Sequence, residues 1–258
     1  MPTLPFFKYQ GTGNDFVIID NREAIFDRHN APGITRLCDR KFGIGADGLI
    51  LIEPHTPHDF EMVYFNADAT RASCGNGARC TVHLARHLGI VDDTASFVME
   101  GDTYQASLQS DHVRLRMVDV STVEEHPDGY LLDTGTRHFV RFMEGLAEHP
   151  VVEEGRAVRY EERFQPVGAN VSFTEEVNQE VHMRIYEKGV ENETLSSGTG
   201  ATAVALAWAT ARQRPSPIAV HTTGGVLTIS FEQTEDGTFT QVYMAGPAQM
   251  VFQGTVFV

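Results

Sequence analysis

Two short segments place a thiol or hydroxyl side chain directly before a glycine-rich stretch. They are Ser73–Ala78, with the sequence SCGNGA, and Ser196–Ala201, with the sequence SSGTGA. A thiol at the start of a helix can have its pKa lowered by the helix dipole and by nearby backbone N–H groups, which favours the nucleophilic thiolate. Cys74 is therefore a candidate catalytic group, and Ser197 occupies the matching position. The alternative for Cys74 is a small buried core residue, a common environment for cysteine.

Both segments also have the composition of an anion-binding helix start. Glycine lets a small anion approach the backbone N–H groups closely, and the helix dipole favours negative charge there. One such loop is weak evidence, but two matched loops could hold a single carboxylate. A phosphate loop of the nucleotide-hydrolase type is disfavoured, because neither segment has the required spacing or its lysine. A dinucleotide site is disfavoured because the third glycine and a βαβ pattern are lacking.

The spacing of the two segments indicates an internal duplication. The offset from Cys74 to Ser197 is 197 − 74 = 123 residues, close to half of the 258-residue chain. A repeat at that distance predicts two similar lobes. Val118–Asp128, which contains Pro127 and several acidic residues, is the expected crossing point between them.

Each repeated segment is expected to open a helix. The first helix is predicted at Asn76–Leu88 and ends at Gly89, a favourable residue after a helix C-terminus. The second begins near Thr199 and continues to about Ala209. Because it is apolar on every face, it is expected to be buried in the centre of its lobe. A third, weaker helix is predicted at Thr35–Arg40.

Short segments of alternating apolar residues, separated by Gly, Asn and Asp, predict a chain rich in β-strands. Most connections are too short to hold crossover helices, so the sheets are expected to be largely antiparallel and the fold class to be α+β. The predicted strands are Phe16–Ile19, Leu49–Ile52, Glu61–Phe65, Tyr104–Leu108, Val113–Met117, Tyr130–Leu132, Phe139–Phe142, His182–Tyr186, Val226–Phe231 and Thr240–Met244.

The composition excludes several classes of function. A net charge of −15 argues against a general nucleic-acid binder and against a basic membrane-surface protein. No apolar run approaches the roughly 20 residues of a membrane span, and Met1–Tyr9 does not have the pattern of a secretion signal. The three cysteines, Cys38, Cys74 and Cys80, fit neither a disulfide framework nor a zinc site. We therefore expect a cytoplasmic protein with reduced thiols and no bound metal.

Several motifs together resemble those of the diaminopimelate epimerase family, and the resemblance covers essentially the whole chain. They are GTGNDF at 11–16, GIGADG at 43–48, FNAD at 65–68, CGNGARC at 74–80, YEKG at 186–189 and ETLSSGTG at 193–200. The resemblance implies two similar lobes, each a mostly antiparallel sheet wrapped around a central helix, with the active site in the cleft between them. Together, the resemblance and the internal repeat predict an N-terminal lobe of residues 1–118 plus 247–258 and a C-terminal lobe of residues 119–246.

The activity implied by the resemblance is the interconversion of LL- and meso-diaminopimelate, in the synthesis of lysine and of peptidoglycan precursors. One thiol removes the α-proton on one face and a second thiol returns a proton on the other, without pyridoxal phosphate, metal or any other cofactor. The family's two bases correspond to Cys74 and Ser197. The resemblance also implies a homodimer that binds a small amino acid, with Tyr243 at the dimer contact.

The same resemblance assigns the substrate-binding residues. The distal ammonium and carboxylate would be held by Asn14, Asn66, Asn170, Glu187 and Lys188. The reacting carboxylate would be held by Asn76 and Thr199 with the adjacent Gly75 and Gly198, and His138 matches a family histidine near the two bases. Taken singly, each asparagine also fits an ordinary turn, and the histidine also fits a half-buried strand position.

Three departures from the family pattern bear on activity and substrate. Ser197 replaces the second thiol, and a hydroxyl is a far weaker acid than a thiol of pKa about 8.5. Proton transfer on that face should be severely slowed unless Glu187 or His138 takes over. Lys188 replaces an arginine and loses its two-pronged grip on a carboxylate. Arg137 lies in an altered loop and either contacts a carboxylate or points to solvent.

These departures leave alternatives open. Either the serine was introduced, or the natural protein works with one thiol. The activity is that of a diaminopimelate epimerase, of a related racemase or isomerase acting on another amino acid, or of an inactive relative that only binds an amino acid.

Overall fold

The computed structural model describes residues 3–257, which divide into two compact units. Unit 1 runs to Leu115 and resumes at Gly246, and unit 2 is Arg116–Ala245. The corresponding boundaries expected from the sequence are 118/119 and 246/247. The expected crossing segment Val118–Asp128 therefore lies inside unit 2, where its residues 123–126 pair with the next strand instead of forming a linker.

Unit 1 is built from strands that surround one long helix. Its strands and helices, in chain order, are β1 (Thr3–Gly11), β2 (Asn14–Asp20), α1 (Ala31–Cys38), β3 (Gly48–Glu53), β4 (Phe60–Asn66), α2 (Gly75–His87), β5 (Thr94–Met99), β6 (Asp102–Gln109), β7 (His112–Arg116) and, from the C-terminal end of the chain, β17 (Gln249–Phe257).

Unit 2 repeats this arrangement. Its strands and helices are β8 (Val123–His126), β9 (Gly129–Asp133), β10 (Arg137–Phe142), α3 (Val151–Arg159), β11 (Asn170–Val177), β12 (Glu180–Glu187), β13 (Asn192–Thr194), α4 (Gly198–Arg212), β14 (Ile218–Thr222), β15 (Gly225–Gln233) and β16 (Phe239–Pro247, which ends just past the unit boundary), with short 3₁₀ turns at Leu146–Glu148 and Glu162–Phe164.

The strand pairing is mixed, with antiparallel pairs in the majority. The parallel pairs are β2–β3 and β4–β5 in unit 1, and β10–β11 and β12–β14 in unit 2. Each parallel pair is joined by a connection that contains a helix, as parallel pairing requires. From β1 in unit 1 and from β9 in unit 2, the two units thus share one order of elements, except for the additional strand β13 in unit 2; α1 corresponds to α3 and α2 to α4. This agrees with the α+β class predicted from the sequence.

The helices differ from the sequence prediction mainly around α1 and α3. Helix α1 begins four residues before the predicted Thr35, because Asn30 Oδ1 accepts a hydrogen bond from Gly33 N at 3.0 Å and caps the helix. Helix α3 was not predicted. It buries Val151 and Val158 in the core of unit 2.

Helices α2 and α4 are buried in their own units. In α4 every residue from Gly200 to Ala209 is buried, as its all-round apolar sequence predicts. In α2 the buried residues include Cys80 and Arg79, each with no exposed surface. Burial raises the pKa of Cys80 to about 12, so this thiol stays protonated and packs as a core residue. Among residues 3–257, no helix combines the length and apolar character that a membrane-spanning helix needs.

Candidate active site

The two repeated segments form the same structure at the start of their helices. Cys74 and Ser197 are the N-cap residues of α2 and α4, and both have an extended backbone. Cys74 Sγ accepts a hydrogen bond from Gly77 N at 3.4 Å, and Ser197 Oγ accepts one from Gly200 N at 3.3 Å. The helices therefore begin where the sequence predicts, and each places its candidate catalytic atom at the positive end of a helix dipole.

The second glycine of each segment packs closely against side chains of its own sheet. A Cβ atom at Gly77 would lie 3.0 Å from Ile50 Cδ1 and from Met62 Cε. A Cβ atom at Gly200 would lie 2.6 Å from Ile185 Cδ1. Glycine therefore lets the first turn of each helix rest directly on a strand of its sheet, which fixes the position of the N-cap side chain.

In unit 1 the structure brings three of the predicted site residues together. Asn14, at the start of β2, has its Oδ1 atom 3.6 Å from Cys74 Sγ and 3.3 Å from Asn76 Nδ2. Cys74 itself is half-buried. Gly75 is the first residue of α2, so its backbone N–H lies in the unsatisfied first turn of the helix. This arrangement can bind a carboxylate beside a thiol.

An ionic network, absent from the sequence prediction, orients Asn14. Asn14 Nδ2 donates to Asp47 Oδ2 at 2.7 Å, and Arg40 Nη2 donates to Asp47 Oδ1 at 2.8 Å and to Asp15 Oδ1 at 2.7 Å. Burial opposes ionisation of Asp15, but hydrogen bonds from Arg40 and Lys8 outweigh it and hold the pKa of this carboxyl below its ordinary range. Since Asp47 holds the amide nitrogen, the amide oxygen of Asn14 faces Cys74.

Asn66 lies at the end of β4, where Tyr64 holds it. The Tyr64 hydroxyl donates to Asn66 Oδ1 at 3.0 Å, and Asn66 Nδ2 donates to Thr70 Oγ1 at 3.0 Å. Burial raises the pKa of Tyr64, and the nearby Cys74 raises it further, so the phenol stays protonated. Tyr64 thus connects Asn66 with the neighbourhood of Cys74, and sequence reasoning missed it.

A buried arginine of α2 holds two residues near Cys74 in place. Arg79 has no exposed surface and donates from Nη1 to Asn76 Oδ1 at 3.0 Å and from Nη2 to Thr12 Oγ1 at 3.2 Å. Its Nε donates to Pro247 O at 3.4 Å. The burial lowers the pKa of this guanidinium, while Cys80 and Cys74 oppose that shift. The signal in the sequence was a cation between the small residues Ala78 and Cys80 near the start of the predicted helix.

In unit 2 the N-cap serine lies among hydroxyl groups. Ser197 is buried, with its Oγ 3.5 Å from Thr199 Oγ1. Thr136 Oγ1 lies 3.4 Å from the same Thr199 hydroxyl, and Thr134 Oγ1 donates to Thr199 O at 2.9 Å. The loop before β10 therefore holds the first turn of α4 through two threonines that the sequence analysis did not single out as site residues.

His138 lies beside this loop. It is fully buried, whereas the alternative interpretation of the sequence was a half-buried strand position. Its Nε2 lies 3.0 Å from Thr136 Oγ1 and 3.4 Å from Asn170 Nδ2. Burial, helped by the positive charge of Lys188, lowers the pKa of His138 to about 3. The imidazole is therefore neutral at pH 7 and only weakly basic. Asn170 Oδ1 in turn accepts the backbone N–H of Lys188 at 2.8 Å.

Two further predicted residues, Glu187 and Lys188, lie where β12 ends. Glu187 accepts a hydrogen bond from Thr194 Oγ1, and burial raises the pKa of this carboxyl despite that bond. The Lys188 side chain is exposed and its Nζ donates to Val167 O at 3.2 Å. Arg137, at the start of β10, is half-buried. Unit 2 thus groups Asn170, His138 and the backbone of Lys188.

The sequence matches one family of enzymes over most of its length. Residues 6–123 and 130–251 match the sequence profile of the family described as diaminopimelate epimerase. The chain is 42% identical over 257 residues to the diaminopimelate epimerase of Flavobacterium psychrophilum, which covers 98% of this chain and 100% of that relative. It is 36% identical over 277 residues to the diaminopimelate epimerase of Aquifex aeolicus, with 97% of each chain covered.

Solved structures of more distant proteins share the fold. A PhzF-family phenazine biosynthesis protein from Bacillus anthracis gives a TM-score of 0.79 at 14% identity, with 100% of both chains covered. A hydroxyproline epimerase from Agrobacterium vitis with bound trans-4-hydroxy-L-proline gives 0.68 at 15% identity, covering 98% of this chain and 92% of that one. At these identities the similarity shows the fold alone.

Proposed function

Because the chain belongs to the diaminopimelate epimerase family, and is therefore an isomerase, we propose that it interconverts LL- and meso-diaminopimelate by moving a proton at the α-carbon. The observation that carries this proposal is the N-cap thiol of α2. Cys74 lies at a glycine-rich helix start together with Asn14 and Asn76, as a proton-transfer group beside a carboxylate site would.

The main chemical obstacle is the weak acidity of an amino-acid α-carbon. In the proposed mechanism, backbone N–H groups at the starts of α2 and α4 bind the α-carboxylate, at Gly75 and Asn76 and at Gly198 and Thr199. As the proton leaves, negative charge spreads onto this carboxylate. Fixed N–H dipoles aimed at the growing charge stabilise the carbanion more than the substrate, and this lowers the barrier.

Cys74 is proposed as the base and acid on one face of the α-carbon. Its thiolate takes the α-proton and becomes a thiol, and the electron pair of the C–H bond remains on the α-carbon and its carboxylate. Return of a proton from the same thiol restores the original configuration. Inversion requires a donor on the opposite face, at the position of Ser197.

Ser197 makes that second transfer slow. Its hydroxyl is weakly acidic and accepts the Gly200 N–H, and the neighbouring His138 is neutral and weakly basic. Glu187 accepts a hydrogen bond from Thr194 and is assigned to the distal end of the substrate, so it is not proposed as a replacement for the missing thiol. We therefore propose that exchange of the α-proton with solvent outpaces inversion in this enzyme.

The distal end of the substrate is assigned to Asn14, Asn66, Asn170, Glu187 and Lys188. A lysine offers a single point charge to the distal carboxylate, in place of the planar fork of an arginine. We expect this substitution to weaken binding without changing the class of substrate. The cytoplasm is the proposed location, because three cysteines with no disulfide among them are typical of a reducing compartment.

The test is isotope exchange at the α-carbon. LL-diaminopimelate is incubated with the enzyme in deuterium oxide, loss of the α-proton is followed by NMR, and inversion is followed by separating the stereoisomers. We expect Cys74→Ala to lower exchange by about 10³-fold, as for loss of a general acid–base group. Cys38→Ala removes a buried thiol of α1 and serves as the matched control, with exchange near that of the wild type.

Two outcomes would overturn parts of the proposal. Wild-type exchange in Cys74→Ala would remove the thiol from the mechanism. Tight binding of diaminopimelate by the wild type with no exchange would show that the chain is an inactive amino-acid-binding relative.

A further inference from the structure

Three potential metal ligands cluster on the outer face of unit 2, apart from the residues assigned to the epimerase site. They are Glu180 and His182 on β12 and His221 on β14. Glu180 Oε2 lies 3.5 Å from His182 Nε2 and 3.8 Å from His221 Nε2, and all three ligand atoms lie within 4.8 Å of one another. The two imidazole rings stack with centroids 4.8 Å apart.

The strand pairing explains why these side chains meet. Glu180 and His182 are two residues apart on one strand and so project from the same face. His221 lies directly opposite His182 in the parallel pairing of β12 and β14. The intervening Val181 and the neighbouring Val220 point inward and have no exposed surface. The register of β12 and β14 therefore brings the three side chains together, and the buried valines hold the two strands against the core.

The local charge favours a cation. Glu175 of β11 lies opposite His182 in the antiparallel pairing of β11 and β12, which adds a second carboxylate on the same face. The nearest arginine on β12, Arg184, is already engaged by Glu193 at 2.7 Å and by backbone carbonyls. Two carboxylates therefore lie beside the histidine pair, those of Glu180 and Glu175, and the oxygens of Glu175 accept the backbone N–H groups of residues 145 and 146.

We propose that Glu180, His182 and His221 bind a divalent transition metal, with Zn²⁺ as the preferred ion. Zinc ligands lie at about 2.0–2.2 Å from the ion, so tetrahedral donor atoms are about 3.3 Å apart. The two glutamate–histidine distances are close to this value, and a rotation of the half-buried imidazole side chains would bring the two histidine nitrogens to the same spacing. Two imidazoles with one carboxylate suit zinc, copper or nickel, and suit the oxygen-seeking calcium and magnesium poorly.

The bound ion would act as a clip between two strands. The parallel pairing of β12 and β14 extends over only two residue pairs, Val181 with Val220 and His182 with His221. An ion held by both strands would add a link at this short contact. Because metal binds the folded chain and the site does not exist in the unfolded one, binding should stabilise unit 2. The proposed role is structural, and it is independent of the epimerase activity.

The experiment measures the zinc dependence of stability. Full-length protein is stripped with EDTA and dialysed, its affinity for ZnCl₂ is measured by calorimetry, and its melting temperature is recorded with and without zinc. At zinc about 100-fold above Kd we expect the wild type to melt about 5 °C higher. The variant His182→Gln/His221→Gln should lose this shift and bind zinc at least 10-fold more weakly.

A matched control comes from a second histidine pair, in unit 1. His55 and His58 also pack ring to ring, with centroids 5.5 Å apart, but His58 Nδ1 contacts Ser96 Oγ at 2.9 Å and no third ligand joins the pair within the described residues 3–257. His55→Gln/His58→Gln should keep the wild-type response to zinc. The proposal is overturned if the His182/His221 double variant shows the same zinc shift as the wild type, or if the wild type shows none. Epimerase activity measured without metal should be equal in wild type and His182→Gln/His221→Gln, so this result does not depend on the proposed function.

Discussion

The starts of α2 and α4 have the same backbone and different electrostatic surroundings. Five residues after the N-cap, α2 carries Arg79, a fully buried guanidinium that reaches Asn76. At the same offset α4 carries Thr202, whose hydroxyl donates to Gly198 O within its own helix. A buried cation therefore supports the helix start in unit 1, and a neutral hydroxyl occupies the corresponding place in unit 2.

The strands that contribute side chains beside the two helix starts, β2 and β10, also differ in the charge of their surroundings. The group beside Cys74 is Asn14, held by the ionic network of Asp47 and Arg40. The corresponding strand of unit 2, β10, brings the neutral His138 and a threonine-rich loop. We infer that unit 1 is suited to a side chain that becomes negatively charged, whereas unit 2 is suited to a neutral donor. In the proposed mechanism, one backbone design thus serves both halves of the proton transfer.

Replacing the serine with a thiol is the strongest way to break this asymmetry. Ser197→Cys restores a group acidic enough to protonate the carbanion from the second face. We expect inversion of LL-diaminopimelate to rise by about 100-fold or more, within the usual contribution of a general acid. Exchange of the α-proton, which we assign to Cys74, should rise much less. The two rates are measured on one sample by NMR and by separation of the stereoisomers.

The exchanged variant Cys74→Ser/Ser197→Cys is the control. Each enzyme is tested on the epimer whose α-proton faces its thiol, LL-diaminopimelate for the wild type and the D-centre of meso-diaminopimelate for the exchanged variant. If the surroundings matter as proposed, the exchanged variant is the slower of the two in exchange, and equal rates would show that the two helix starts are electrostatically equivalent. No gain from Ser197→Cys, in a wild type that already inverts rapidly, would show that the second base lies elsewhere.

Removing the buried cation Arg79 tests the proposed electrostatic role of the helix start in unit 1. Arg79→Met keeps the apolar stem but loses the hydrogen bonds to Asn76 and Thr12. We expect kcat/KM to fall about 30-fold, equal to about 2 kcal/mol, as for loss of hydrogen bonds from a charged donor. The pH at which Cys74 reacts half-maximally with iodoacetamide should rise as well, because a nearby positive charge has been removed.

Arg79→Lys separates charge from geometry. Lysine keeps the positive charge but cannot contact Asn76 and Thr12 together, so it should restore the alkylation profile more fully than kcat/KM. If Arg79→Met lowers the melting temperature but leaves both the alkylation profile and kcat/KM unchanged, the arginine has a purely structural role.

The local features of the site could be predicted from the sequence, because they are encoded within a few neighbouring residues. The starts of α2 and α4 follow from the glycine-rich segments alone, and the burial of α4 follows from its composition. Most predicted strands lie within observed ones for the same reason. The strands that the alternating pattern did not predict are β1, β5, β8, β11, β13, β14 and β17. In β1, Pro5 weakens the pattern, and the strand is defined by its pairing with β17 near the other end of the chain.

Features that depend on long-range packing could not be predicted in this way. Helix α3 contains Gly155, a poor helix former, whose missing side chain makes room for Tyr186; its Cβ would lie 2.4 Å from Tyr186 Cβ. The contacts of Arg79 join residues 12, 76 and 247. The cluster of Glu180, His182 and His221 requires two strands some forty residues apart to pair in register.

The neutral state of His138, beside the start of α4, predicts the smallest of the expected effects. It changes how the free energy of unfolding depends on pH. Burial lowers the pKa of His138 to about 3, below the value of about 6.5 for an exposed histidine. Between these values the unfolded chain binds a proton that the native chain does not. Stability therefore falls as the pH decreases through this window, and from pH 7.0 to 5.5 the loss from this group is about 1.2 kcal/mol.

His138→Gln removes this titration and keeps a polar side chain opposite Thr136. Urea unfolding of the wild type and the variant at pH 7.0 and 5.5 gives the free energy of unfolding at each pH. We expect the variant to lose about 1.2 kcal/mol less than the wild type on acidification, even though it is less stable at pH 7.0. His112→Gln, an exposed position on β7, should follow the wild type at both values. Equal losses in the wild type and His138→Gln would mean that His138 is charged in the native protein, and the start of α4 would then no longer be the neutral counterpart of the start of α2.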